Sequence, residues 1–356
     1  MAAWEGNLRK VIPYTPGEQP EGAGIIKLNT NENPYPPAPA VMCALREIEA
    51  GSLRKYPDPS ASALVEALAA HYGLQEEQVF VGVGSDDVLA MAFLTFFNGA
   101  KPILFPDITY SFYDVWAGLY RIPYERQPLD GSFHIRTEDY CRECGGIVIP
   151  NPNAPTGVAK PLAGLEEIIK ANPGVIVIID EAYIDFGGES ALGLLPKYDN
   201  LLVVRTFSKS RSLAGMRIGY AFGSRGLIRC LQDVKYSFNS YTMSVAALAA
   251  GVAAIQEDSY YKGTLQKIIR TRERVKAELG KLGFSYLDSQ SNFIFATHPG
   301  CPAQELFEAL KQEGIYVRYF PKPRIDNYLR ISIGTDQEMD VLLQFLGSYL
   351  KKKTKQ

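Results

Sequence analysis

The run Arg205 to Tyr220 (RTFSKSRSLAGMRIGY) sets one lysine, Lys209, among small and hydroxylated residues, with Arg217 eight positions on. Apolar strand-like runs flank it, Asn200 to Val204 before and Ile218 to Phe222 after. Lysines ordinarily decorate solvated faces, because desolvating an ammonium is unfavourable. A loop lysine held between two buried strands is a candidate amine nucleophile with a lowered pKa. A second reactive group stands at the end of another apolar run, where Asp180-Glu-Ala-Tyr183 closes Val175-Ile-Val-Ile-Ile179. A carboxylate there is unfavourable unless it meets a cation, and a protonated ring nitrogen would serve. Tyr183 adds a phenol that can donate or accept nearby.

Two loops complete the set. Gly82-Val-Gly84-Ser85-Asp86-Asp87 lies between a strand and a helix. Its glycines permit a tight turn, and the helix start offers free N–H groups to a phosphate. The glycines do not continue into the spacing of a dinucleotide fingerprint, which argues against nicotinamide chemistry. Asn151-Pro-Asn-Ala-Pro-Thr-Gly157 is stiffened by two prolines, and is either a structural turn or a rigid mount for an asparagine amide.

These groups need a scaffold that brings strand ends together. Strand-like and helical segments alternate: Gln78 to Val81, a helix from Asp86 to Phe97, Pro102 to Phe105, Gly146 to Ile149, a helix from Leu162 to Ala171, then Val175 to Ile179. The alternation predicts an α/β architecture around a mostly parallel sheet flanked by helices, with ligands gathered outside the carboxyl ends of the strands. An Ala-rich helix (Val245 to Ile255) and a long amphipathic helix (Tyr260 to Leu282) lead to a smaller α+β domain. That domain reads as strand Asn292 to Ala296, helix Ala303 to Glu313, strands Ile315 to Arg318 and Tyr328 to Ile333, and helix Gln337 to Tyr349. The expected division is an N-terminal arm over 1–35, a large domain over 36–258 and a small domain over 259–356. Pro, Gly and Asn make the arm extended rather than a core element.

The bulk numbers set limits. A chain of 356 residues, 46% hydrophobic and 21% charged, can bury a large core. A formal net charge of −2 argues against nucleic-acid or membrane-surface partners. No apolar run has membrane-spanning length, and the first ten residues lack a signal-peptide core. Five scattered cysteines suit a reducing cytoplasm. Cys141 and Cys144 have C-x-x-C spacing but no second pair, so no metal site is expected. The run Lys351 to Lys355 reads as a frayed, solvated helix end.

Lys209, Asp180, Tyr183, a phosphate cup of Ser85, Asp86, Ser208 and Arg217, and Tyr110 as a stacking ring together match what pyridoxal 5'-phosphate demands. The chain also resembles the fold-type I pyridoxal-phosphate-dependent aminotransferases of class I/II. The matching residues are Leu28-Asn-Thr-Asn-Glu-Asn-Pro-Tyr35, Tyr56 to Pro59, Asn151 to Gly157, Asp180 to Phe186, Arg205 to Tyr220, Ser289 to Ile294 and Leu329 to Thr335. The likeness implies a large domain with a mostly parallel central sheet, a smaller α+β domain and an aminotransferase activity. Within the family the motifs point to transfer of an amino group from L-histidinol phosphate to 2-oxoglutarate, in histidine biosynthesis. Aromatic amino acids, or decarboxylation of threonine phosphate, are the alternatives on the same fold. A non-catalytic binding protein is a further one.

Carried onto this chain, the resemblance makes Lys209 the Schiff-base lysine and proton shuttle, Asp180 the partner of the pyridinium nitrogen, and Tyr183 the partner of the ring oxygen. Tyr110 would stack on the ring. Tyr56 would complete the phosphate cup of the neighbouring subunit in a homodimer. Tyr14, Arg318 and Arg330 would face the substrates, an amino donor and a 2-oxo acid, and each guanidinium can bind phosphate or carboxylate in bidentate fashion. One position departs from the pattern. The family commonly has asparagine directly before Pro-Thr-Gly, where this chain has Ala154, with Asn153 one place earlier. Either Asn153 reaches the cofactor from a shifted loop, or Tyr183 serves the ring oxygen alone.

Overall fold

The computed structural model describes residues 2–22 and 24–353. Seven strands form the large sheet, in the spatial order Val79–Gly82, Gly219–Phe222, Leu201–Thr206, Val177–Asp180, Gly146–Pro150, Ile103–Pro106, Tyr124–Gln127. Gly219–Phe222 runs antiparallel to both neighbours, and the remaining pairings are parallel. Every residue of Val177–Asp180 and of Leu201–Thr206 is buried. Helices on both faces exclude water from the central strands, which explains their unbroken β-branched and leucine content. Apolar side chains pack on the two faces as separate clusters, one around Leu64, Ile149 and Ile179 and the other around Phe93, Phe105 and Val148.

A third cluster belongs to a smaller body, built on the antiparallel sheet Arg318–Tyr319, Leu329–Ser332, Phe293–Thr297 and Ser285–Tyr286. Helices Asp258–Lys281, Ala303–Gln312 and Asp336–Lys353 pack on it. Several details differ from the sequence reading. The segment expected as one strand over Ile315 to Arg318 splits at Val317. Ile315–Tyr316 pairs in parallel with Ile26–Lys27, while Arg318–Tyr319 joins the small sheet. The arm therefore ends as a core element, with Leu28 only 1% exposed inside the third cluster. The edge strand Tyr124–Gln127 and the helices Ser62–Tyr72, Phe112–Tyr120 and Arg225–Phe238 also add to the expected elements. Three of the four residues of that edge strand are exposed, so it carries no apolar signature.

Of the basic C-terminal run, Lys351 to Lys353 finish the last helix, and Lys353 pairs with Glu305 rather than standing free. Thr354 and Lys355 lie outside the described residues. Among the described residues no helix is long and apolar enough to cross a membrane, and no His, Cys, Asp and Glu cluster could hold a metal ion. Cys141 is exposed, whereas Cys144 is buried beside Asn172.

Candidate active site

The carboxyl ends of the parallel strands converge on one cavity of about 170 Å³, lined by Asp180, Thr206, Lys209 and Arg217 among others. The backbone of Lys209 is fixed from the arm, where Asn33 Nδ2 donates to the carbonyls of Lys209 (3.2 Å) and Ser210 (3.1 Å). Ser210 Oγ in turn donates to Asp185 at 2.5 Å. The amine of Lys209 donates to the Thr30 carbonyl at 3.2 Å and lies 5.7 Å from the centre of the Tyr183 ring. Among the described residues no carboxylate hydrogen-bonds this amine, which leaves its nitrogen available for reaction.

Asp180 ends its strand 5% exposed. Its hydrogen-bond partners are neutral, the Tyr113 hydroxyl at 2.8 Å and the Ala182 N–H at 3.1 Å. Burial pushes its carboxyl up to about 6, against the pull of those two donors. A buried carboxylate held only by neutral donors suits a ligand that brings its own positive charge.

The anion cup forms where the helix Gly84–Phe96 begins beside the turn before Gly219. Arg217 Nη2 reaches Asp86 at 3.1 Å, and Nη1 lies 3.5 Å from Ser208 Oγ. Space there is set by two glycines. A Cβ on Gly84 would stand 2.6 Å from Arg217 Nη2, and one on Gly219 would stand 2.2 Å from the Gly84 carbonyl carbon and the Ser85 nitrogen. Ser85 and Asp86 line the cavity at the helix start, where free N–H groups and the helix dipole favour an anion. Tyr110 closes one side, its hydroxyl donating to Asp86 at 2.7 Å, and burial followed by the Asp86 charge raises its pKa.

A second cavity of about 160 Å³ adjoins the first, and both are lined by Thr30, Tyr110, Ala154, Tyr183 and Lys209. It adds Tyr14, stacked on Phe112 at 4.3 Å, together with Arg318 and Arg330. Arg330 Nη2 donates to the Asn29 carbonyl at 2.9 Å, while its Nε is buried without a hydrogen-bond partner. Burial lowers the Arg330 pKa, and the group stays cationic from so high a starting value. Two arginines side by side in one cavity have the chemistry to receive a phosphate or carboxylate.

Two residues singled out from sequence lie elsewhere. Asn153 is 1% exposed, and its amide donates to the Ile108 carbonyl at 2.9 Å and to Thr156 Oγ1 at 3.1 Å. Its carbonyl oxygen accepts from Thr109 at 3.1 Å, so the side chain is spent on the loop, and Ala154 lines the cavities instead. Tyr56 is 81% exposed and stacks on Tyr241, away from the cavity of its own chain.

Thr30, Asn31, Asn33 and Tyr113 escaped sequence reading as site-forming residues. The first three belong to a motif that carries the family likeness, but their partners lie more than 150 positions away, beyond any periodic signal. Tyr113 sits three residues from Tyr110 on an aromatic helix start, where a core role and a polar one look alike. The amine, the cup a Cβ would fill and the buried acid held by neutral donors fit an aldehyde, a phosphate and a protonated ring nitrogen, the three features of pyridoxal phosphate.

Fold and site together define a fold-type I, pyridoxal-phosphate-dependent enzyme. The aminotransferase class I and II family matches residues 23–346, and the chain belongs to it. It is 53% identical over 350 residues to a histidinol-phosphate aminotransferase of Lactococcus lactis subsp. lactis, covering 98% of this chain and 97% of that one. A histidinol-phosphate aminotransferase of Clostridium beijerinckii is 50% identical over 353 residues, covering 99% of each. Among solved structures, the histidinol-phosphate aminotransferase of Sinorhizobium meliloti in complex with pyridoxal-5'-phosphate superposes with a TM-score of 0.84 at 26% identity, covering 92% of this chain and 91% of that one.

Proposed function

We propose that the chain transfers the amino group of L-histidinol phosphate to 2-oxoglutarate, giving imidazole-acetol phosphate and L-glutamate, in histidine biosynthesis. One observation carries this reading. The reactive lysine cavity opens onto a second cavity holding two arginines, one with an unpaired buried N–H, in a chain half identical to histidinol-phosphate aminotransferases. An arginine pair suits both partners, since the donor carries a phosphate and the acceptor carboxylates.

Bound pyridoxal phosphate supplies an aldehyde for amine exchange and an electron-withdrawing ring that acidifies the donor's Cα–H. The chain's own groups do the rest. Ser85, Asp86, Ser208 and Arg217 would grip the phosphate, and Tyr110 would stack on the ring. Asp180 would hold the proton on the ring nitrogen, and Tyr183 would serve the ring oxygen without help from Asn153. Lys209 would anchor the aldehyde carbon, and its freed amine would serve as the base that carries the donor's Cα proton. Arg318, Arg330 and Tyr14 orient the substrate. The exposed Tyr56 completes the phosphate cup of a neighbouring subunit, so the working enzyme is a homodimer of chains divided into arm (1–35), large domain (36–258) and small domain (259–356). Five free thiols fit a reducing cytoplasm.

The test has two parts. Lys209→Ala should abolish both turnover and the borohydride-reducible visible absorbance, and wild-type transamination by this variant would refute the lysine assignment. A substrate panel should give a higher rate with histidinol phosphate than with phenylalanine or threonine phosphate. A faster reaction with phenylalanine would overturn the substrate.

A further inference from the structure

We infer that Asn31 is a positioning residue that commits the Tyr183 hydroxyl to donate into the cofactor cavity. This rests on the reading above that Tyr183 serves the ring oxygen. Asn31 is 1% exposed and sits at a left-handed φ of 57°, a conformation asparagine adopts more readily than most residues. Three hydrogen bonds fix the direction of its amide. The Asn31 N–H donates to Ser332 Oγ at 2.9 Å, and Ser332 Oγ donates back to Asn31 Oδ1 at 2.9 Å. With Oδ1 turned to the serine, Nδ2 faces Tyr183 and donates to its hydroxyl oxygen at 2.9 Å.

A phenol that accepts such a bond must send its own hydrogen elsewhere. Tyr183 lines the cavity with Lys209 and Asp180, so its hydrogen is left to point into the space where the cofactor's ring oxygen would lie. The loop amide that could have met that oxygen is missing, because Ala154 lines the cavity and Asn153 is spent on Ile108 and Thr156. Asn31 thus acts on the ring through Tyr183. Its anchor, Ser332, is two residues from Arg330 on the strand Leu329–Ser332, so the substrate grip and the ring contact share one element.

The experiment is a pH titration of the visible absorbance of the holoenzyme, for wild type, Asn31→Asp, Asn31→Gly and Tyr183→Phe, and for each Asn31 change combined with Tyr183→Phe. Donation to the ring oxygen stabilises its anionic form, so losing it raises the pH at which the adjoining nitrogen gives up its proton. Asn31→Asp keeps the shape but offers Tyr183 an acceptor, and should raise the midpoint by roughly one pH unit. Asn31→Gly keeps the backbone conformation and deletes the amide, and should raise it less. The other titratable groups facing Tyr183 (Lys209, Asp180, Asp86, Arg330, Tyr110 and Tyr113) are the same in every variant. With Tyr183→Phe as background, Asn31→Asp reports only its added charge, so its shift should shrink to less than half and that of Asn31→Gly should vanish. Equal shifts in both backgrounds, or none in either Asn31 variant, would overturn the inference while leaving the Tyr183 reading intact. An unmoved midpoint in Tyr183→Phe alone would overturn the Tyr183 reading, and the inference with it.

Discussion

Glu181 and Arg205 form an ion pair 2.8 Å apart, with side chains 0% and 7% exposed, next to the strand ends that carry Asp180 and Thr206. Ser190 and the Ala191 N–H satisfy the remaining carboxylate capacity, and Tyr72 lies under the guanidinium, 5.1 Å from the ring centre. Burial works against the Arg205 charge, but the adjacent Glu181 carboxylate raises its pKa and keeps it cationic. Removing Glu181 leaves the buried guanidinium with only the more distant Asp185 carboxylate, 3.6 Å away, to balance it. Glu181→Ala should destabilise the protein by roughly 3–5 kcal/mol, while the double change Glu181→Leu with Arg205→Met should restore much of that loss. Urea denaturation of the three forms tests this, and a Glu181→Ala midpoint equal to wild type would count against the pair.

The two cup glycines predict graded losses of cofactor. Gly84→Ala puts a methyl against the flexible end of Arg217 at a φ of +85°, whereas Gly219→Ala drives one into the fixed backbone of Gly84 and Ser85. Pyridoxal-phosphate titration of the stripped protein should give at least a tenfold weaker dissociation constant for Gly84→Ala, about 1.4 kcal/mol, and a larger loss for Gly219→Ala. Unchanged binding by either variant would mean that the phosphate sits elsewhere.

Asp180 makes the stability of the cofactor-stripped protein depend on pH. Its folded value of about 6 lies above the ordinary 3.8, so between the two the folded protein binds more protons than the unfolded chain. Stability from this group is therefore greatest at low pH and is lost as pH rises through that window. Asp180→Asn, free of the penalty, should be more stable than wild type at pH 7.5 by up to roughly 3 kcal/mol, with the gap closing towards pH 4. Thermal unfolding of both stripped proteins across this range measures it, and a gap that widens on acidification would contradict the assignment.

A shared cup predicts complementation between subunits. Lys209→Ala and Tyr56→Ala proteins should each be impaired alone. In a hybrid dimer, one site would draw Lys209 from one chain and Tyr56 from the other. Mixing the two after mild unfolding should recover up to about a quarter of the activity of refolded wild type, since random pairing makes half the dimers hybrid and each hybrid has one whole site. Recovery no better than the sum of the parents would place Tyr56 outside the neighbouring site.

Legibility followed sequence distance. Asp180 could be read because it ends an apolar run, where a polar group must have a reason, and Lys209 and Arg217 because their loop lies between two such runs. The strand runs at 177–180 and 201–206 were equally plain, being buried on both faces. Asn31, Asn33 and Thr30 were hidden, since each matters through a partner that only the finished fold brings near. Asn153 shows the converse. Its type suggested a ligand contact, but the structure turns its amide to the Ile108 carbonyl, and no local pattern distinguishes the two uses. Glu181 carried a usable signal that went unread: a second carboxylate beside Asp180 implies a cation, and Arg205 opens the lysine motif.

The hydrogen bond between Ser332 and Asn31 joins residues 301 positions apart, and the Ile26–Lys27 strand waits on Ile315–Tyr316 in the same way. During synthesis the large sheet can form as soon as Phe222 has left the ribosome, yet Asn31 lacks the serine that sets its amide, and Ile26–Lys27 the strand it pairs with, until the last hundred residues follow. Contacts of such long sequence separation form late. A nascent chain would hold its reactive amine with one wall missing, and the enzyme would become competent only when the small domain closes on the arm.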